Sequence, residues 1–192
     1  MNWSWLDERP IVVAIAGSNG AGKTTFHHAH LASAGLRFVN ADLLARELDI
    51  NAYAAARLAD NIRRELIDMG ESFIFETVFS DPVGEKVEFL KMADAKGYTV
   101  VLLFIAIDDV SLSDARVAMR VTQGGHDVPL DKLEERFPRT LLNLKRAIKE
   151  LPRVLVFDNN DLVKPYQLIV EFENGVLKNT KVSKARLKKF MR

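Results

Sequence analysis

Along this chain, short runs of unbroken apolar residues alternate with longer stretches whose apolar positions recur at helical spacing. Residues 11–16 (IVVAIA) and 99–106 (TVVLLFIA) are apolar almost throughout. That composition suits strands buried on both faces and places them in the interior of a sheet. Residues 37–40, 72–76 and 153–157 read as three more strands. Between the strands lie helical patterns over residues 22–33, 43–69 with an interruption at 49–51, 84–96, and 111–150 with one break at 123–129. Such alternation predicts an α/β fold, a mostly parallel five-stranded sheet wrapped by helices through crossovers. Residues 167–173, Asn174-Gly175 and 176–180 then predict a C-terminal β-hairpin closed by a type I′ turn.

At 192 residues with 48% hydrophobic content, the chain fits one domain over 1–192 with a core that needs no covalent staple. The absence of cysteine excludes disulfides and thiolate metal sites, and agrees with a reducing compartment. The first ten residues carry acids where a signal peptide would be apolar, and no apolar run approaches the roughly 20 residues of a membrane span. The expectation is a soluble, cytoplasmic protein without a membrane partner. Net charge is +1, but residues 181–192 hold six bases and no acid, which leaves the body slightly acidic. This argues against a nucleic-acid partner for the domain and confines polyanion attraction to the tail, either a docked terminal helix or a basic arm.

The chemistry concentrates after the first strand. Gly17-Ser18-Asn19-Gly20-Ala21-Gly22-Lys23-Thr24 fits the phosphate-binding P-loop pattern and lies between a buried strand and a helix start, as the pattern requires. The glycines let backbone N–H groups turn inward, and the helix N-terminus adds partial positive charge. Lys23 then reaches the terminal phosphates and Thr24 offers its hydroxyl to Mg²⁺. These features suit the phosphates of a nucleotide with Mg²⁺, with residues 17–25, Thr25 included, as the binding segment; nothing in them depends on the base. The fold expectation sharpens to a three-layer P-loop NTPase.

Asp42 follows the second strand at the carboxyl edge of the sheet, where doubly wound folds place ligands. As a base it would accept the proton of an attacking hydroxyl; as a helix N-cap it would serve the segment from Leu43. Glu76 ends the third strand at the same edge, suited to Mg²⁺ directly or through water. Arg116, Arg120, Arg136 and Arg139 flank a glycine-rich break, so residues 111–150 read as a lid whose guanidinium groups meet a phosphoryl group in transfer. His126, between those arginines, would enter the site on closure. His27, His28 and His30 lack acidic or thiol partners at ligand spacing and read as structural or surface residues. Asp158-Asn159-Asn160, at the end of the fifth strand, is either a base-contacting turn or a run of cap residues.

Gly17–Thr25, Phe38-Val39-Asn40-Ala41-Asp42, Phe75-Glu76-Thr77, Lys96-Gly97-Tyr98 and Arg116–Arg120 leading to Gly124-Gly125-His126-Asp127-Val128-Pro129 and Arg136 together resemble the zeta-toxin-like P-loop kinases, in particular their short branch. The resemblance narrows the fold to the kinase type and implies strand order 2-3-1-4-5, Asp42 as general base, and Lys23, Arg120 and Arg136 as the other catalytic groups. It also implies Asp42, Glu76, Thr77 and His126 against the substrate, with Thr24 and Glu76 at the metal. Family members with defined activity phosphorylate the sugar 3′-hydroxyl of UDP-N-acetylglucosamine, and some are toxins neutralised by an antitoxin protein. The implied function is ATP- and Mg²⁺-dependent transfer of the γ-phosphoryl group to a hydroxyl of a small soluble metabolite, with an antitoxin as a partner to be considered. An ATP-hydrolysing regulatory protein and a nucleoside or polynucleotide 5′-hydroxyl kinase stay open. The chain departs from the toxins where its third strand runs Phe-Glu-Thr-Val-Phe-Ser instead of a Glu-Gly-Thr-Gly-Arg type of stretch.

Overall fold

A computed structural model describes residues 3–121 and 129–191, with the side chains of Arg120, Val121, Lys189 and Met191 outside the description. Strands β1 (Ile11–Ala16), β2 (Arg37–Val39), β3 (Phe73–Thr77), β4 (Thr99–Ala106), β5 (Arg153–Asp158), β6 (Gln167–Glu173) and β7 (Val176–Thr180) form one sheet in the order β2-β3-β1-β4-β5-β6-β7. The first five run parallel, in the order 2-3-1-4-5 that the resemblance implies. Helices are α1 (Lys23–His30), α2 (Ala41–Leu48), α3 (Ala52–Asp68), α4 (Glu85–Ala95), α5 (Val110–Val121), α6 (Leu130–Glu150) and α7 (Lys184–Met191).

The sheet has seven strands rather than five. The hairpin expected as an appendage continues it, because β6 pairs antiparallel with β5 and β7 with β6. The reason lies in β6 itself, where Ile169, Val170 and Phe172 are buried and need the sheet's core face. Asn174 and Gly175 both have positive φ, 49° and 75°, as a type I′ turn demands.

Successive residues of a strand point to opposite faces, and the two cores follow that period. Val12, Ala14, Phe73, Phe75, Leu102 and Phe104 meet α3, α4, α6 and α7 on one side. Ile11, Val13, Ile15, Leu103 and Ile105 meet Phe26 of α1 and an N-terminal 3₁₀ turn (Ser4–Asp7) carrying Trp5 on the other. β1 is buried at every position, as its unbroken apolar run requires. All parallel strands therefore end at one edge, where the loops after β1, β2 and β3 converge.

Candidate active site

The P-loop folds as its composition demands. Gly17 adopts φ 146°, and a Cβ there would stand 2.4 Å from the Ile105 carbonyl oxygen of β4, so no side chain fits. Gly20 packs nearly as close to α5, 2.7 Å from the Ser113 carbonyl oxygen by the same measure. Helix α1 starts at Lys23 with Gly22 at its N-cap and no capping side chain there, so this end offers backbone N–H groups to an anion.

Three residues that the motif does not contain brace this loop. Ser113 of α5 donates its hydroxyl to the Asn19 carbonyl at 2.6 Å, and buried Asn159 donates its amide to the Ala21 carbonyl at 2.8 Å. The Tyr166 hydroxyl donates to the Gly22 carbonyl at 3.0 Å. Burial pushes the Tyr166 hydroxyl above its usual pKa, which keeps it a donor. Asn159, for which a base contact was one expectation, thus holds the loop from behind. Asn160 accepts from the Asp108 N–H at 2.8 Å.

Glu76 is the hub of the site. Its Oε2 accepts from the Thr24 hydroxyl at 2.7 Å and from the Asn40 side-chain amide at 2.7 Å. Lys23 Nζ lies 3.7 Å from Glu76 Oε1 and donates to the Ser18 carbonyl at 3.0 Å. One carboxylate from the end of β3 and one hydroxyl and one ammonium from the start of α1 therefore meet in a half-buried place. Hard oxygen donors of this kind suit Mg²⁺.

Asn40, absent from the site expected on sequence, links this hub to α2. Its Oδ1 accepts from the Asp42 and Leu43 N–H groups at 2.8 and 3.2 Å. Asn40 is therefore the N-cap of α2, and the capping alternative for Asp42 is overturned. Asp42 stands in the first turn, exposed, and lines a cleft of about 200 Å³ together with Glu76, Thr77, Asp60, Arg63 and Lys86. Thr77 accepts from the Phe79 N–H at 3.1 Å, shaping the loop beyond β3.

The lid arginines are placed unevenly. Arg116 on α5 reaches within 3.5 Å of the Asn160 carbonyl, and Arg139 on α6 pairs with Glu135 at 2.9 Å. Arg136 is half-buried on α6, one turn before Thr140, whose hydroxyl lies 3.1 Å from both the Arg136 and the Val78 carbonyl oxygens and donates its one proton between them. Arg120 lies in the last turn of α5 with its side chain outside the described residues, and His126 lies wholly outside them. Among the described residues no group of three or more His, Cys, Asp or Glu is placed to hold a metal. His27 is buried instead, its ring stacked 3.7 Å from that of Phe38.

The profile of the Zeta toxin family matches residues 47–169. The chain belongs to the Zeta toxin family. The match begins beyond Gly17–Thr25 and Asp42, so the phosphate loop and the base candidate stand on their own geometry. Several solved structures share the fold. Crystal structures of the AvrRxo1-ORF1:AvrRxo1-ORF2 complex with sulphate ions and with ATP are 17% identical with TM-score 0.75, aligned over 96% of this chain. This chain spans 65% and 64% of the length of those chains. The PezAT toxin-antitoxin system of Streptococcus pneumoniae is 18% identical with TM-score 0.59, over 79% of this chain and 69% of that one. Shikimate kinase from Acinetobacter baumannii, solved with shikimate, is 15% identical with TM-score 0.52, over 82% and 87%. No curated protein sequence matches the chain. The fold of this Zeta toxin family member is that of P-loop kinases, and among its described residues no helix is long and apolar enough to cross a membrane.

Proposed function

We propose that the protein transfers the γ-phosphoryl group of ATP to a hydroxyl of a small metabolite bound in the cleft beside Asp42. The observation that carries this reading is the continuity of the site. The Glu76 carboxylate contacts Thr24 and lies near Lys23 of the phosphate loop, and it also lines the cleft that holds Asp42. A nucleotide in the loop and an acceptor in the cleft would therefore meet at one carboxylate.

The P-loop amides and Lys23 bind the phosphates, and Thr24 with Glu76 would hold Mg²⁺, which supplies charge neutralisation to the phosphates when bound. Asp42 takes the proton from the acceptor hydroxyl as its oxygen bonds to the γ-phosphorus; the bond to the β–γ bridging oxygen breaks and ADP leaves. Arg120 and Arg136 are assigned to the equatorial phosphoryl oxygens and His126 to the acceptor, roles that rest on the sequence motifs. UDP-N-acetylglucosamine heads the panel of acceptors because of the family, and an antitoxin partner belongs to the same proposal through the likeness to PezAT.

The test incubates the protein with γ-labelled ATP, Mg²⁺ and a soluble metabolite extract containing UDP-N-acetylglucosamine, with Lys23→Ala and Asp42→Asn alongside. A labelled metabolite that vanishes with Lys23→Ala and falls about 10²–10⁴-fold with Asp42→Asn is expected. Label found solely in free phosphate, and indifferent to Asp42→Asn, would refute the base assignment and favour uncoupled ATP hydrolysis.

A further inference from the structure

The cleft beside Asp42 has a second wall that the phosphate loop does not explain. Arg63 of α3 is 4% exposed, its guanidinium 4.8 Å from the Phe75 ring centre and 5.8 Å from that of Phe89. It pairs with Asp60 one turn earlier. Lys86, in the first turn of α4, places Nζ 2.8 Å from the same Asp60 oxygen. Two cations, one of them deeply buried, thus share one carboxylate on the lining of the cleft.

A charge withdrawn from water needs a close partner, and Arg63 and Lys86 divide the same Asp60 oxygen between them. The groups around them do not remove the strain. Burial, then Arg64, lowers the Arg63 pKa to about 10. Burial, then Arg63, also lowers that of Lys86, although Glu85 and Asp81 pull the other way and Arg64 adds to the fall. Burial weakens the charged form of both cations. Arg63 is fixed between two rings and Asp60, whereas Lys86 is a compact ammonium on a flexible stem at the cleft, suited to a point contact with an anion.

We infer that Lys86, supported by Arg63 and Asp60, is an oxyanion subsite that anchors a phosphate or carboxylate group of the acceptor in the cleft. This rests on the reading of the cleft as the acceptor site, and it restricts the acceptor to molecules carrying both a hydroxyl and an acid group.

The test separates this subsite from the phosphate loop by first saturating the protein with Mg²⁺ and the non-hydrolysable analogue AMP-PNP. Inorganic phosphate and, in a second arm, acetate are then titrated while the thermal midpoint is followed. Saturable stabilisation is expected in at least one arm, weakened about tenfold or more by Lys86→Gln and retained by Lys86→Arg. Lys96→Gln, which alters an exposed pair with Asp68, controls for general charge. If neither anion gives a saturable response, or Lys86→Gln and Lys96→Gln respond alike, the subsite is refuted. No phosphoryl transfer occurs in this titration, so loss of the kinase reading would show in the labelled-ATP assay instead. Transfer to neutral acceptors that Lys86→Gln leaves untouched would sink the subsite and spare the kinase.

Discussion

Asn40 shows how much one side chain decides at this site. Its oxygen closes two N–H groups of α2 while its nitrogen holds Glu76, so the helix bearing Asp42 and the carboxylate facing Thr24 share one fixed point. Asn40→Ala removes both connections. The lost cap costs about 0.5–2 kcal/mol of stability, and the freed carboxylate no longer meets Thr24 in one geometry. Turnover should therefore fall more than the KM for ATP rises. Asn40→Ser separates the two roles, because a serine caps a helix but does not reach Glu76. Its thermal midpoint is expected near that of the native chain, with turnover near that of the alanine variant; a serine variant with native turnover would show that the Glu76 contact is dispensable. Read from the sequence, Asp42 alone stands as the candidate cap, although Asn40, two positions earlier, is of an equally favoured capping type.

Elements were legible wherever the signal was local. β1, β4, β6 and β7 have the expected limits because each run of apolar or alternating residues is bounded by turn residues. The phosphate loop was legible for the same reason, its whole pattern from Gly17 to Thr24 being eight consecutive residues. What braces it was not, since Ser113, Asn159 and Tyr166 reach it from 94, 138 and 144 residues away. Arg63 and Lys86 escaped notice likewise, because neither means anything until α3 and α4 set them on one carboxylate. Helix α1 carries its own prediction. Burial, and then neighbouring His28, lowers the pKa of His27 below 6.5, and neither ring nitrogen has a hydrogen-bond partner among the described residues. The unfolded chain therefore binds a proton more tightly than the folded one. Stability from this group is complete above pH 6.5, declines as pH falls through that value, and levels off below the folded pKa. His30 adds to the trend, burial again leading. His27→Phe keeps the stack on Phe38 and removes the titration, so thermal midpoints measured from pH 7.5 to 5 should fall less steeply than in the native chain. Parallel slopes would mean that His27 is not the group responsible.

The whole molecule depends on a C-terminal third that the phosphate-loop motif never mentions. β6 covers the outer edge of β5, the segment entering β6 sends Tyr166 to the loop, and α7 packs with α6 on one face of the sheet. In α7, Phe190 is buried in the core beside α6, while Arg186 bonds Asp108 at 3.1 Å and Asp158 at 2.7 Å at the ends of β4 and β5. A basic arm waiting for a polyanion would bury no phenylalanine and would leave its arginine in solvent. Burial of Phe190 contributes about 1.5–3 kcal/mol, and each exposed ion pair about 0–1 kcal/mol. Ending the chain after Thr180 should therefore lower unfolding stability by roughly 2–4 kcal/mol. Arg186→Ala alone should cost about 1 kcal/mol or less, and that cost should shrink at high salt. Urea denaturation of the three proteins decides the matter. A truncated chain as stable as the whole, with salt-sensitive heparin binding lost, would return the tail to the role of a free basic arm; a stability loss dominated by Arg186→Ala would mean that charge, and not the buried ring, holds α7 in place.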